Sequence, residues 1–303
     1  MNFCILYSGV EDDDQVWPDK RSLALQRMAG SNVLGHVLNQ LWDAYPTQIL
    51  VVVERDQEAI TAWLEEFIPH VDAKVITAPS GSKPLEAIAL CRDYCDKEPL
   101  LVTLGNHVTE ADYKHLQQSS ADVTIFTKQY DEGAWAGVSY FQRGTDFFAA
   151  LDEARFEGHV DFKVFLENLQ RFDFRLAKQG TTMCLQIRTA GELLFANARL
   201  LGLGYGTENA IERSYIEDFT VLPPVFLHEL AVIENAVVGP FVNVEAGAVI
   251  RDSVVRNSLI GKESIIMDVV LDGSIIGTCA QVKGSGRKLL VEDNTEISLA
   301  DDC

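Results

Sequence analysis

The hydrophobic pattern of this chain changes period once. Up to about residue 221, short apolar runs alternate with segments of helical spacing. Phe3-Cys4-Ile5-Leu6-Tyr7 is a short apolar run ending at Ser8-Gly9, which predicts a buried strand entering a turn. From Val33 to Tyr45, Val33, Leu34, Val37, Leu38, Leu41 and Trp42 fall on one face at spacings of three and four, which predicts a helix. Gln48 to Val53 is a continuous β-branched run of the kind found in parallel sheets. A helix is expected over Glu58 to Phe67, a strand over Ala73 to Ile76, and a helix over Leu85 to Cys95. Further strands are expected over Pro99 to Leu104 and Asp122 to Phe126. This alternation predicts an α/β fold with a mostly parallel, Rossmann-like sheet and helices on both faces. Ligands of such sheets bind at the carboxyl ends of the strands. The turns after Tyr7 and Leu104 are therefore the places to look for chemistry.

Beyond Leu222 the helical period disappears. Val232, Val238, Val244 and Ile250 recur at steps of six. After a shortened step the pattern resumes at Ile260, Ile266, Leu271, Ile276 and Val282. Hexapeptide repeats of this kind indicate a β-helix, in which each coil puts one aliphatic side chain inward from each of three faces. The domains are expected at 1–221 and 222–303, and the Gly284-Ser285-Gly286-Arg287 stretch is expected to end the coils.

Charge narrows the functions. Lys and Arg number 25, Asp and Glu 45, and the net charge is −20. Nucleic-acid binding needs clustered positive charge, and anionic membranes repel an acidic chain, so neither is expected as a partner. No run approaches the ~20 apolar residues of a membrane span. The opening Met1 to Tyr7 has no basic stretch, so no secretory leader and a cytoplasmic location are expected. The six cysteines, Cys91 and Cys95 among them, lack zinc spacing and are expected as reduced thiols. The six histidines show no metal-ligand spacing. The four tryptophans are expected to pack rather than to form a sugar platform, least clearly Trp17 and Trp135 in their polar surroundings.

Four segments, in order, resemble the sugar-1-phosphate nucleotidylyltransferases, also called NDP-sugar pyrophosphorylases. Arg21 to Gly30, continuing through Leu34-Gly35-His36-Val37-Leu38, resembles that family's RPKALLPVAGKP…LEHVL segment. Leu101 to Asn106 resembles its LVLNGD strand and turn, and Ala136 to Phe141 its central GVY-F strand. Cys184 to Ala190, followed by Glu192 to Asn197, resembles W-x-D-V-G-T-P and DLLEAN. The resemblance implies a nucleotide-diphospho-sugar transferase type of α/β domain followed by a left-handed parallel β-helix. It also implies a chemistry: a sugar phosphate attacks the α-phosphorus of a nucleoside triphosphate and pyrophosphate leaves. That reaction needs a glycine loop for the triphosphate, a basic residue, and two carboxylates on Mg²⁺.

The chain departs from this pattern at each of those points. The family's glycine loop falls on Ser8-Gly9-Val10 followed by Glu11-Asp12-Asp13-Asp14. Two unit charges about 4 Å apart interact by about 4 kcal/mol at an effective dielectric near ~20, so four carboxylates oppose a triphosphate unless they point away or bind metal. The family lysine falls on Leu23, with Lys20 and Arg21 as the possible substitutes. The two metal aspartates fall on Asn106 and Gln186, uncharged amides that suit Mg²⁺ poorly. Glu110 and Asp112 are expected as solvent-facing helix residues, and His107 as a surface or helix-capping residue. Ser8, Gly9, Gly81 and Gly105 remain as candidate nucleotide-binding positions, with Ser80-Gly81-Ser82 where the family has a turn near the base.

The expected protein has the family fold without its catalysis. It would bind a nucleotide or nucleotide-sugar, or serve as a regulatory or assembly subunit, as a homo-oligomer or beside an active relative. Non-catalytic subunits of GDP-mannose pyrophosphorylase and of the translation-initiation guanine-nucleotide exchange factor resemble it in architecture. No cofactor is expected unless the chain is active, in which case Mg²⁺ is required. The alternatives are an active nucleotidylyltransferase with metal held by Asp12 to Asp14, and an oligomeric scaffold. An acyltransferase would need a histidine beside the coils, and His228 stands at their start.

Overall fold

The computed structural model describes residues 2–6, as backbone alone, and residues 21–95, 98–114, 116–129, 133–159, 161–207 and 219–285. Seven strands form one sheet. From edge to edge they are Leu176–Gly180, Val123–Thr127, Trp135–Phe141, Leu100–Leu104, Asn2–Leu6, Gln48–Val53 and Asp72–Thr77. Every neighbouring pair is parallel except the two made by Trp135–Phe141, which runs against both its neighbours. Asn2–Leu6 lies between Gln48–Val53 and Leu100–Leu104, so the strand order reverses beside it, the usual place for a ligand crevice.

Alternation along Gln48–Val53 explains the two helical layers. Ile49, Val51 and Val53 face a core with α1 (Val33–Leu41), α2 (Gln57–Phe67) and α7 (Ala190–Gly202). Leu50 and Val52 face a second core against α3 (Pro84–Ala89), α5 (Gly144–Phe156) and α6 (Phe162–Glu167). Period two on a strand puts successive side chains on opposite faces, so a continuous apolar run supplies both cores.

Two predicted helices end differently. The helix from Val33 stops at Leu41 and tightens into a 3-10 turn over Trp42–Ala44, with Tyr45 in the left-handed region at φ 53°. The tighter turn carries Trp42 out of the apolar stripe, and it is 45% exposed. The Leu85 to Cys95 segment breaks into α3 and α4 (Arg92–Cys95), because Leu90 and Cys91 donate back three residues, to Ala87 and Ile88. Cys91 and Cys95 are buried free thiols. Among the described residues no helix is long and apolar enough to cross a membrane.

The C-terminal half is a parallel β-helix of three four-stranded sheets. Its interior ladders are Val221–Val238–Val255–Leu271, Leu227–Val244–Ile260–Ile276 and Ile233–Ile250–Ile266–Val282. Each coil takes 17 residues, as from Val221 to Val238, or 16, as from Val255 to Leu271. Left-handed residues stack at the corners in the same rhythm: Asn235, Asp252 and Asp268 at one, Phe241, Asn257 and Gly273 at the next, Gly247, Glu263 and Cys279 at the third. The expected phase is corrected at one point. The inward residue is Ile233, 2% exposed, and Val232 is 40% exposed, because a corner shortens the step before Val238 to five. Val255 fills the gap between Ile250 and Ile260. Gly284 and Ser285 follow the last strand, and Gly286 and Arg287 lie outside the described residues.

The register can be tested by paired truncations. Ile250→Ala removes an interior rung and should lower unfolding free energy by about 2–5 kcal/mol, whereas Val232→Ala should stay within about 0.5 kcal/mol. Chemical denaturation followed by circular dichroism measures both, and equal losses would contradict the register.

Candidate functional site

Several sequence-predicted positions lie at the carboxyl end of the sheet's strands. Gly105 and Asn106 follow the carboxyl end of Leu100–Leu104. Gly81 lies in the loop beyond Asp72–Thr77, and its N–H donates to Glu54 Oε2 at 3.2 Å, just past the end of Gln48–Val53. A two-stranded ribbon, His107–Glu110 with Met183–Gln186, sets Gln186 opposite His107 and so beside Asn106. The Ile187 N–H donates to the Asn106 carbonyl at 2.8 Å. The two positions where the resemblance places metal aspartates are therefore neighbours, although 80 residues apart in sequence.

The chemistry there is that of neutral groups. Asn106 is buried, and its Oδ1 stands 2.6 Å from His107 Nδ1. Burial pushes the His107 imidazole down to about 3, with smaller downward pulls from Lys128 and Arg188 and an upward one from Glu192. The ring is thus neutral near pH 7, and with an amide oxygen facing it Nδ1 must carry the proton and donate. The Asn106 oxygen accepts this bond. Trp135 covers the ring at 6.1 Å between centroids, its indole N–H donating to Val138 O at 2.9 Å and Ser139 Oγ at 3.0 Å. Gly137 opens the space for the imidazole: it sits at φ +83°, and a Cβ there would lie 2.3 Å from His107 Cγ. His107 is accordingly not a surface or capping residue but the buried partner of Asn106.

Other candidates are dispersed. Leu23 lies in a 3-10 turn, 2% exposed, packed into the core that holds α1. The Ser22 N–H beside it donates to Asp56 Oδ2 at 2.6 Å. Arg21 lines a cleft between the α/β half and the β-helix, together with Arg27 and Lys262. Glu110 ends a strand rather than sitting on a helix, and is exposed, as is Asp112. Ser8, Gly9, Asp12, Asp13, Asp14, Trp17 and Lys20 lie outside the described residues. Among the described residues no cluster of three or more His, Cys, Asp or Glu side chains could hold a metal. Asn106 and Gln186 are neutral amides, and as a pair without charge they fit Mg²⁺ poorly.

Sequence reading missed the contacts that join the two halves. The hairpin Arg27–Met28/Ser31–Asn32 carries its tip, Ala29-Gly30, against the coils. The Ala29 N–H donates to Asn197 Oδ1 at 2.8 Å, and Asn197 Nδ2 donates to Phe241 O at 3.0 Å. The Gly30 N–H donates to Asn243 Oδ1 at 2.8 Å, Asn243 Nδ2 donates to Glu245 Oε1 at 2.8 Å, and Arg27 Nε donates to Glu245 Oε2 at 2.9 Å. Gly30 is at φ +80°, where a Cβ would press on the Phe226 ring at 2.9 Å.

No family model matches the sequence, and no curated protein matches it. Among solved structures, HddC from Yersinia pseudotuberculosis superposes with a TM-score of 0.51 at 15% identity, over 66% of this chain and 99% of that one. The likeness is one of fold, an α/β sheet domain with stacked parallel strands behind it in this chain.

Two measurements probe the buried pair. Gly137→Ala combines left-handed strain with a clash on His107 and should lower stability by about 2–4 kcal/mol. The second is pH dependence. Folded His107 refuses a proton that the unfolded chain takes up below the ordinary value of 6.5, and His36 is shifted the same way by burial. Stability should be full above pH 6.5 and fall below it, His107 contributing up to about 1.4 kcal/mol per pH unit on the way down to about 3 and His36 acting in the same direction. His107→Gln should flatten that slope in urea titrations; an unchanged slope would refute the assignment.

Proposed function

We propose that this chain is a nucleotidyltransferase-like protein that performs no metal-dependent nucleotidyl transfer of its own and acts as a nucleotide- or nucleotide-sugar-binding subunit within an assembly. One observation carries this reading: the adjacent positions that would hold metal carboxylates are the amides Asn106 and Gln186, the first tied to a neutral buried histidine. Mg²⁺ strongly favours carboxylates and phosphates over neutral ligands, so the leaving pyrophosphate has no metal clamp built from these residues. The burial of Leu23 adds to this, since an aliphatic side chain in the core supplies no charge to a transition state. The loops of Gly81 and Gly105 both follow carboxyl ends of strands of the sheet, which supports retained binding.

Assembly with a second copy is supported by the outward faces of the β-helix. One face packs on the α/β half through Leu259, with Phe226 and Ile275 beside it. The other two present Val232, Val254 and Val270 to solvent, Val270 at 71% exposure.

Pyrophosphate release decides the catalytic question. Purified protein with Mg²⁺, nucleoside triphosphates and sugar 1-phosphates should release no more than the same protein carrying Asp12→Ala, Asp13→Ala and Asp14→Ala. Release that vanishes in this triple variant would mean the acidic segment supplies metal ligands, and would overturn the reading. Light scattering at micromolar concentration should give an oligomeric mass that Val254→Glu with Val270→Glu reduces; a monomeric mass for the unchanged protein would remove the assembly part.

A further inference from the structure

The strand Asp72–Thr77 forms one edge of the sheet, and among the described residues nothing pairs with its outer side. The direction of its backbone groups follows from one bond. The Ala78 N–H donates to Val53 O at 2.8 Å, so alternation turns the N–H and C=O groups of Ile76 and Lys74 inward. Those of Val75 and Ala73 therefore face the open edge. The side chains alternate as well. Val71, Ala73 and Val75 pack half-buried on the α2 side, and Asp72 and Lys74 stand exposed on the other. Beside the first row an apolar groove of about 200 Å³ follows the edge, lined by Leu64, Ile68, Pro69 and Val75. Beside the second row lies Tyr94, 46% exposed, with Lys74 Nζ 5.2 Å from its ring centre.

An unpaired edge is a template for a further strand, and proteins usually block it with charge, a proline or a bulge. This edge carries no proline and pairs with Gln48–Val53 without a bulge. Its charges have opposite signs and stand two positions apart, which repels most strands but fits its own inverse. In antiparallel pairing, outward-facing residues must meet each other, and each row of side chains must stay on its own face of the sheet. Ala73 opposite Ala73 of a second copy meets both conditions. It sets Asp72 against Lys74 twice on one face and Val71 against Val75 twice on the other. Centring the pair on Asp72 or on Lys74 instead opposes like charges. In the favoured register the two Ala73 residues exchange N–H and C=O bonds, and each Val75 N–H reaches the other copy's Val71 O. The Val71 N–H is already bonded to Ile68 O at 3.1 Å. Within one copy, Lys74 Nζ and Asp72 Oδ2 are 4.0 Å apart with both side chains about half exposed, and Gln48 Nε2 donates to the same oxygen at 2.5 Å. So exposed an ion pair is weak, and it leaves both groups able to engage a partner. The sheet's other edge, Leu176–Gly180, lacks this match: Lys178 is its one charge, and twofold pairing about it opposes two lysines.

We propose that Asp72–Thr77 is a self-recognition edge, at which two copies of this chain join antiparallel about Ala73 into one continuous sheet. The contact is isologous, each copy giving the same strand, the same α2 groove and the same Tyr94 to the seam. Antiparallel joining points the carboxyl strand ends of the two copies in opposite directions, so their crevices stay apart. The edge uses no coil residue and stands apart from assembly through Val254 and Val270.

Analytical ultracentrifugation of the full chain carrying Val254→Glu and Val270→Glu isolates this edge. Salt of about 0.15 M gives a Debye length of about 8 Å, which screens the −20 charge of each copy beyond contact range. At about 100 µM chain, a dimer with Kd of about 10 µM or below is expected. Asp72→Lys and Lys74→Asp, each added alone, should weaken it by about tenfold or more, because each sets like charges together twice. An equimolar mixture of these two variants should regain the dimer, since every pair across the seam is again opposite in sign. No contact within one copy can produce that recovery. A monomer in the chain carrying the two coil substitutions would overturn the proposal, and coil assembly would still stand if the unchanged chain is larger. Unchanged affinity in both charge reversals, or no recovery on mixing, would overturn it as well. A dimer that both reversals dissolve and mixing restores supports it, even where the coil substitutions leave the mass unchanged and coil assembly falls instead.

Discussion

The architecture hangs on the hairpin tip at Ala29-Gly30. Two backbone N–H groups there would be stranded on forming the joint, and each meets a buried amide oxygen, from Asn197 on one side and Asn243 on the other. A buried donor without a partner costs about 1–3 kcal/mol, so the joint can close only in the register that satisfies both. Asn197 spends its second donor on Phe241, a bulky residue held at φ 61° at a coil corner. The same few atoms thus fix the helix α7, the hairpin and the coil face relative to one another. They also set the direction of the segment before the hairpin, which is why Leu23 ends in the core and Arg21 in the cleft.

Much of the fold was legible in the sequence because both halves are periodic. The run Gln48–Val53 reads as a strand buried on both faces, and the coil residues from Val238 to Val282 recur at steps of five or six, which strict period-two alternation of an antiparallel domain does not produce. The misplacement of Val232 has a local reason. Val232 and Ile233 are adjacent and both β-branched, so composition does not choose between them; corner geometry does. Trp42 left its stripe for a similar reason, the tightening of the last turn.

The site was less legible because its decisive contacts are not local. Asn106 could be located from the strand and turn, but the burial of His107 depends on a ribbon partner at Gln186 and on the missing side chain of Gly137. The joint is more distant still: Arg27 and Glu245 are 218 positions apart, and neither has a sequence context that marks it as an ion pair. Burial converts the strand-end chemistry from charged to neutral. A carboxylate at position 106 beside a cationic imidazole would be another molecule electrostatically, whereas amide and neutral ring form a hydrogen bond that asks nothing of solvent or metal.

The corners of the β-helix have a consequence for how such a chain can change length. Each corner repeats a left-handed residue every coil, and each rung advances by one whole coil. A single residue inserted within a straight segment would reverse the inward and outward positions of everything up to the next corner. A duplicated coil would instead preserve every rung and every corner, lengthening the stack like an added course of bricks. Growth and shortening of this half are therefore quantised in coils, and the surface that meets the α/β half at Asn243 and Glu245 is untouched by coils added at the far end.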